Sequence, residues 1–245
     1  MSTKSDAKRP HRLDPVTEPE PEPVPAPDDG EAALRRTRHQ IRNELQLLTS
    51  LHALHLRNVD DPRARRELIR CYRRVGVVGV VHQLTADAGG TVRADSCLQT
   101  VANFLAASAR TMEDNQNFKF DLSLEVDHPR WRHDHATRIA LIVDELFSNA
   151  MNHALPHAEQ LDIALSLRSV KGRSCLSLRD WGPGLPEGFD PATADSLGLP
   201  MACAVAQQLG GSLELVAAPG GGTEARLLLP LDLAVDSNEG ADERP

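Results

Sequence analysis

The sequence predicts an α+β fold, a two-helix hairpin followed by an α/β sandwich, set between two unstructured ends. Three observations carry this reading. Residues 31–86 hold apolar side chains at helical spacing, with one break at Asp60-Asp61-Pro62. From residue 96 onward, helical stretches alternate with short runs of period two. Seven of the 17 prolines fall in the first 30 residues, where only six residues are apolar.

That first segment, 1–30, alternates acid and proline between Glu18 and Gly30. Proline donates no backbone hydrogen bond and stiffens the chain toward polyproline II. Too few apolar groups are present to offset the entropy of ordering. The segment is expected to be disordered, either as a solvated leader or as a docking segment. Residues 234–245 are expected to form a second, acidic tail.

The 245 residues carry a formal charge of −8, much of it in the two ends. No dominant basic field would draw phosphates, so nucleic acid is not an expected partner. The N-terminal Lys and Arg residues are not followed by an apolar segment, so no signal peptide is expected. No apolar run reaches the length of a membrane span, and none is expected. Cys71, Cys97, Cys175 and Cys203 lie far apart, without metal-ligand spacing. They are expected to be buried free thiols in a reducing compartment, which points to the cytoplasm.

In the hairpin, residues 31–58 contain neither Gly nor Pro, and Leu34, Ile41, Leu45, Leu48 and Leu51 form one stripe. A second helix is predicted over 64–86, through Leu68, Ile69, Tyr72, Val75, Val78 and Val81, ending at Gly89-Gly90. Two helices leave the stripe half covered. A second copy would complete a four-helix bundle, so a homodimer is expected.

The sandwich follows in order. A helix is predicted over 96–112, capped by Asp95 or Ser96, then a strand over 118–126 and a helix over 135–154. Strands are predicted over 161–167 and 174–178, then a helix over 200–209 stopped by Gly210-Gly211. A hairpin of 212–216 and 223–229 closes the set.

Four constellations could carry chemistry. Glu145, Asn149, Asn152 and His153 share one helical face, opposite Ile139, Val143, Leu146 and Ala150. Carboxylate and amide oxygens suit Mg²⁺ with phosphate, although a plain solvated face fits the same spacing. Asp180, Gly182 and Gly184 follow an apolar strand. A carboxylate there can accept from an exocyclic amine, although an ordinary turn has the same composition. Gly198 and Leu199 precede Pro200 at a helix start, where free N–H groups and the dipole favour phosphate. A simple proline-led helix start would look alike. Gly222-Thr223 leaves a glycine-rich loop to enter the last strand.

Taken together, their order resembles the ATPase domain of histidine kinases, shared with gyrase, Hsp90 and MutL and known as the GHKL or Bergerat type. The resemblance covers residues 96–231. It implies that Asn149 holds Mg²⁺ with Glu145 and Asn152 on the same face, and that Asp180 receives the adenine amino group of ATP. It also implies that Gly182, Gly184, Gly198, Leu199, Gly222 and Thr223 shape the nucleotide pocket. The run Arg38-His39-Gln-Ile-Arg-Asn-Glu-Leu-Gln46, with Arg74-Val-Gly-Val-Val-Gly-Val-Val-His82, resembles the HisKA_2 subfamily of histidine kinases. The phosphoacceptor of that subfamily then falls on His39. Independently, His39 stands roughly 200° around the helix from Ile41, which turns it to solvent.

The resemblance implies a two-component kinase. ATP and Mg²⁺ would phosphorylate His39, and the phosphoryl group would pass to an aspartate in a response-regulator receiver domain. On this reading residues 31–90 form the dimerisation and phosphotransfer hairpin, and residues 95–233 the catalytic domain. No sensor domain is expected in the chain, so input would come from a partner, from a separate sensor protein, or not at all. Three departures bear on rate. Asn152 stands where a basic residue is usual, Glu44 replaces an Asn, and Gln40 follows His39 where an acid could serve as base. The segment 185–195 would leave a small lid. Two other readings stay open: a histidine phosphotransferase that relays phosphate without ATP, and an ATPase-like protein that sequesters a regulator.

Overall fold

The computed structural model describes residues 29–56, 58–112, 118–125, 129–153, 161–194, 198–231 and 234–235. The described residues begin with α1 (Asp29–Leu56) and α2 (Pro62–Asp87), the predicted hairpin. Asp61 caps α2, accepting from the Ala64 amide at 2.7 Å, and Pro62 occupies the first turn, where no donor is needed. At the other end Gly90 donates to the Thr85 carbonyl at 2.8 Å, with Gly89 and Gly90 both at positive φ.

The sandwich follows as β1 (Thr91–Arg93), α3 (Ala94–Met112), β2 (Phe118–Glu125), β3 (Arg130–Arg132) and α4 (His133–His153). It continues with β4 (Leu161–Val170), β5 (Arg173–Asp180), a 3₁₀ turn (Pro191–Thr193) and α5 (Gly198–Gln208). It closes with β6 (Ser212–Ala217), β7 (Thr223–Pro230) and β8 (Ala234–Val235). The main sheet runs β2-β4-β5-β7-β6, with β2 parallel to β4 and the other pairs antiparallel. Alternation decides which face is covered. Ser174, Leu176, Leu178 and Asp180 point inward from β5, and Thr223, Ala225, Leu227 and Leu229 do so from β7. These rows meet Ile139, Ile142, Val143 and Leu146 of α4 and Ala202 and Ala206 of α5 in one core.

Three findings depart from expectation. A small second sheet, β1-β3-β8, is present, which the sequence reading omits. Its last strand uses Ala234 and Val235, assigned above to the acidic tail. The rest of the expected tails, 1–28 and 236–245, lies outside the described residues. The hairpin and the sandwich also share a core, since Val77 and Val81 of α2 are buried in the same cluster as α3 and α4. Phe104 of α3 reaches α2 at Gly76, where an added Cβ would lie 2.0 Å from the ring. Finally, Cys97 and Cys203 are buried and Cys175 is partly covered, but Cys71 on α2 is exposed, contrary to the reading of four buried thiols.

Candidate functional site

Asp180 ends the buried row of β5 and lies beside the start of β7. Its Oδ1 accepts from the Gly182 amide at 2.8 Å and from the Thr223 amide at 3.2 Å. Two backbone donors on one oxygen fix the carboxylate, which is 9% exposed, and leave its other oxygen for a further partner. The loop between β6 and β7 folds back over this position. Gly222 has φ +83°, and a Cβ there would lie 2.1 Å from the Asp180 carbonyl oxygen. Only glycine fits so close an approach. Gly184 has φ +86° and stands 3.6 Å, from its own would-be Cβ, off the Gly222 carbonyl. Asp180, Gly182, Gly184, Gly222 and Thr223 thus lie together at this end of the sheet.

The second cluster joins α4 to α5. Glu145 is 6% exposed, which removes the solvated-face reading for this residue. A Cβ on Gly198 would lie 1.7 Å from Glu145 Oε1, so the carboxylate rests against the first residue of α5. Asn149, one turn further along α4, is half-buried, while Asn152 and His153 are exposed. Leu199 is 2% exposed and packs in the core, so its contribution is to seat α5. Residues 195–197, which begin the Ser196-Leu-Gly motif, lie outside the described residues. His39 is exposed on α1, as the helical phase predicts. Among the described contacts, none joins His39 to the pocket.

The sequence reading missed two contacts that tie the hairpin to this site. Arg73 of α2 donates from Nε to Asp144 at 3.1 Å and from Nη2 to Ser148 at 2.8 Å, and it lies over the Phe147 ring. Arg74 donates from Nη2 to Glu145 Oε2 at 2.9 Å. Burial pushes the Asp144 carboxyl up to about 6, with the Arg73 guanidinium pulling against it. The available signal was a doublet of arginines on an apolar helix and a doublet of acids, Asp144-Glu145, on another.

The donor set fits a nucleotide. A fixed carboxylate with an open oxygen suits an exocyclic amine, and the glycines let the β6–β7 loop close against the backbone beside it. Half-buried Asn149 offers an amide oxygen of the kind that Mg²⁺ accepts alongside phosphate and water.

A helix layer over a mixed sheet, with a glycine-bordered carboxylate at the end of a strand, defines the class: an ATPase-type sandwich carried on a helical hairpin. Residues 134–233 match the family described as Histidine kinase-, DNA gyrase B-, and HSP90-like ATPase. Residues 37–109 match HisKA_2, described as Histidine kinase. The chain belongs to the histidine kinase family.

It is 29% identical over 208 residues to the sensor histidine kinase PdtaS of Mycobacterium tuberculosis, an alignment covering 82% of this chain and 40% of that protein. The PdtaS of Mycolicibacterium smegmatis is 28% identical over the same shares. The chain thus spans about 40% of the length of these curated relatives. Among solved structures, the histidine kinase domain of the Erythrobacter litoralis EL346 blue-light activated histidine kinase is similar. The TM-score is 0.57 at 20% identity, covering 85% of this chain and 99% of that one. That likeness is one of fold. No helix among the described residues is long and apolar enough to cross a membrane.

Proposed function

We propose that the chain is an ATP-dependent protein-histidine kinase that phosphorylates His39 and passes the phosphoryl group to an aspartate of a response-regulator receiver domain. The observation that carries this reading is the Asp180 carboxylate, fixed by the Gly182 and Thr223 amides under a glycine loop. The Gly182 bond is an ordinary Asx turn, and what goes beyond it is the bond from Thr223, 43 residues on, which ties that turn to β7. On this reading Asp180 accepts the adenine amino group through its second oxygen. Gly182, Gly184 and Gly222 let the backbone close around the base. Gly198 and the N–H groups of α5 face the phosphates. Asn149 holds Mg²⁺, which supplies charge compensation when bound.

The hairpin, residues 31–90, presents the acceptor. A neutral ring nitrogen of His39 forms the bond to the γ-phosphorus. The bond from that phosphorus to the β–γ bridging oxygen breaks, ADP leaves, and the ring proton goes to water. Such transfers rest on positioning and electrostatics more than on covalent help from the protein. That fits the absence of an acid at Gln40. The exposed Ile41, Leu47, Leu48, Leu51 and Leu54 on α1 suit a second copy of the chain, giving a homodimer. A response-regulator partner points to the cytoplasm as the compartment in which the two would meet.

The test is incubation of the full chain with γ-labelled ATP and Mg²⁺ beside a His39→Ala variant. Acid-labile label that vanishes in the variant is the expected result. Label that survives the substitution overturns the role of His39. No label together with no nucleotide binding overturns the kinase and favours the ATP-independent phosphotransferase.

A further inference from the structure

The described segments around the proposed pocket, residues 145–153, 180–194, 198–209 and 218–223, contain no Lys and no Arg. Their formal charges come from Glu145, Asp180, Glu187 and Asp190. A polyphosphate entering such a site meets acids, and the α4 position where a basic side chain would help is Asn152. Beside Mg²⁺ and the α5 N–H groups, any basic side chain at the phosphates has to come from elsewhere in the chain. Among the described contacts, three arginines reach these segments from outside, and Arg73 is taken up by Asp144 and Ser148. Arg179 lies over the Trp181 ring and donates to the Pro219 carbonyl, at the Asp180 end. Arg74 reaches in from α2 at the opposite end, bonded to Glu145, whose other oxygen abuts Gly198.

We propose that Arg74, from the hairpin, is the γ-phosphate-binding cation of this pocket. The inference rests on the nucleotide reading above and deepens it. Three observations carry it. The Arg74 side chain is 37% exposed while Glu145 is 8% exposed, so the guanidinium stands on the open side of the pair. It engages Glu145 through Nη2 alone, and a guanidinium forks to more than one acceptor. Its neighbour Arg73 turns away, to Asp144 and Ser148, and holds α2 in place so that Arg74 has a fixed origin. A triphosphate reaching the α5 N-terminus would meet this fork, and a diphosphate would end short of it. The consequence is that the third phosphate is sensed by the same hairpin that carries His39.

Calorimetric titration of the full chain with AMP-PNP and with ADP, each with Mg²⁺, tests this. Arg74→Gln keeps an N–H for Glu145 and removes the charge. It should weaken AMP-PNP binding by about ten- to a hundredfold and leave ADP affinity unchanged. Arg74→Lys should recover part of the loss. Unchanged ADP binding also reports that the variants fold. A Gln variant that weakens both nucleotides equally, or neither, overturns the proposal and leaves Arg74 a structural tie. A wild-type chain that binds neither nucleotide overturns the ATP reading itself, and this proposal with it.

Discussion

Arg73 and Asp144 form an ion pair 3.1 Å long with both side chains only 2% exposed, joining α2 of the hairpin to α4 of the sandwich. Each charge would be costly there alone. Ser148 and the Phe147 ring take up further parts of the guanidinium. Removing one partner strands the other, so Arg73→Met or Asp144→Leu should each destabilise the fold by about 3–5 kcal/mol. The double replacement should recover most of that loss, because the pair is needed as a pair. Urea denaturation of the four chains checks this. Additive losses in the double variant would show that the two residues act separately.

The same pair gives a pH signature. Asp144 has its carboxyl raised from 3.8 to about 6, chiefly by burial and against the pull of Arg73. The folded chain therefore holds a proton that the unfolded chain releases, and stability falls as pH rises from about 4 to about 6. The contribution is full below the unfolded value and gone above the folded one. It amounts to about 3 kcal/mol at most. Measured against Asp144→Asn, whose amide does not titrate, the wild-type stability should drop across that window and run parallel above it. Parallel curves throughout would show that Asp144 is ionised in both states.

Much of this was legible beforehand, for reasons that particular residues make plain. The hairpin announces itself because Asp61 and Pro62 combine a helix cap with a residue the first turn tolerates. The five long strands and five helices follow from period alone. Strands β1, β3 and β8 do not, since two or three residues such as Arg130-Trp131-Arg132 carry no readable period. They form because Val92 and Trp131 pair across a short ladder that the linear sequence does not display. Asp180 and its glycines were legible because their chemistry is local. Arg73 and Arg74 were not, because their partners lie 71 residues on and two adjacent arginines look like a solvated surface.

Gly222 offers a sharp test of the pocket. Alanine there would need φ +83° and would place Cβ 2.1 Å from the Asp180 carbonyl oxygen. The left-handed backbone alone costs roughly 1–2 kcal/mol, and the clash forces the loop outward. Gly222→Ala should therefore abolish detectable ADP binding with only a partial loss of thermal stability, because the core beneath is untouched. Gly221→Ala is the control. It has a similar φ of +103° but nothing within 4 Å of the added carbon. It should lose stability to a like degree and keep nucleotide. Equal binding by both variants would move the site elsewhere.

The apolar face of α1 gives the last prediction. Leu47, Leu48, Leu51 and Leu54 are 60%, 44%, 43% and 55% exposed in the single chain, and Ile41 is 37% exposed. Five large apolar groups on one helix are more than an isolated surface ordinarily carries. Among the described residues α2 is the main element packed against α1, and these five side chains stay outside that contact. Pairing two hairpins would cover these residues as a four-helix bundle. Replacing Leu48 and Leu51 together by Glu should leave the sandwich folded, since neither residue belongs to its core. Sedimentation velocity should then show a monomer where the wild-type chain is a dimer, with ADP binding retained. If the wild type also sediments as a monomer, the face is covered by something other than a second copy.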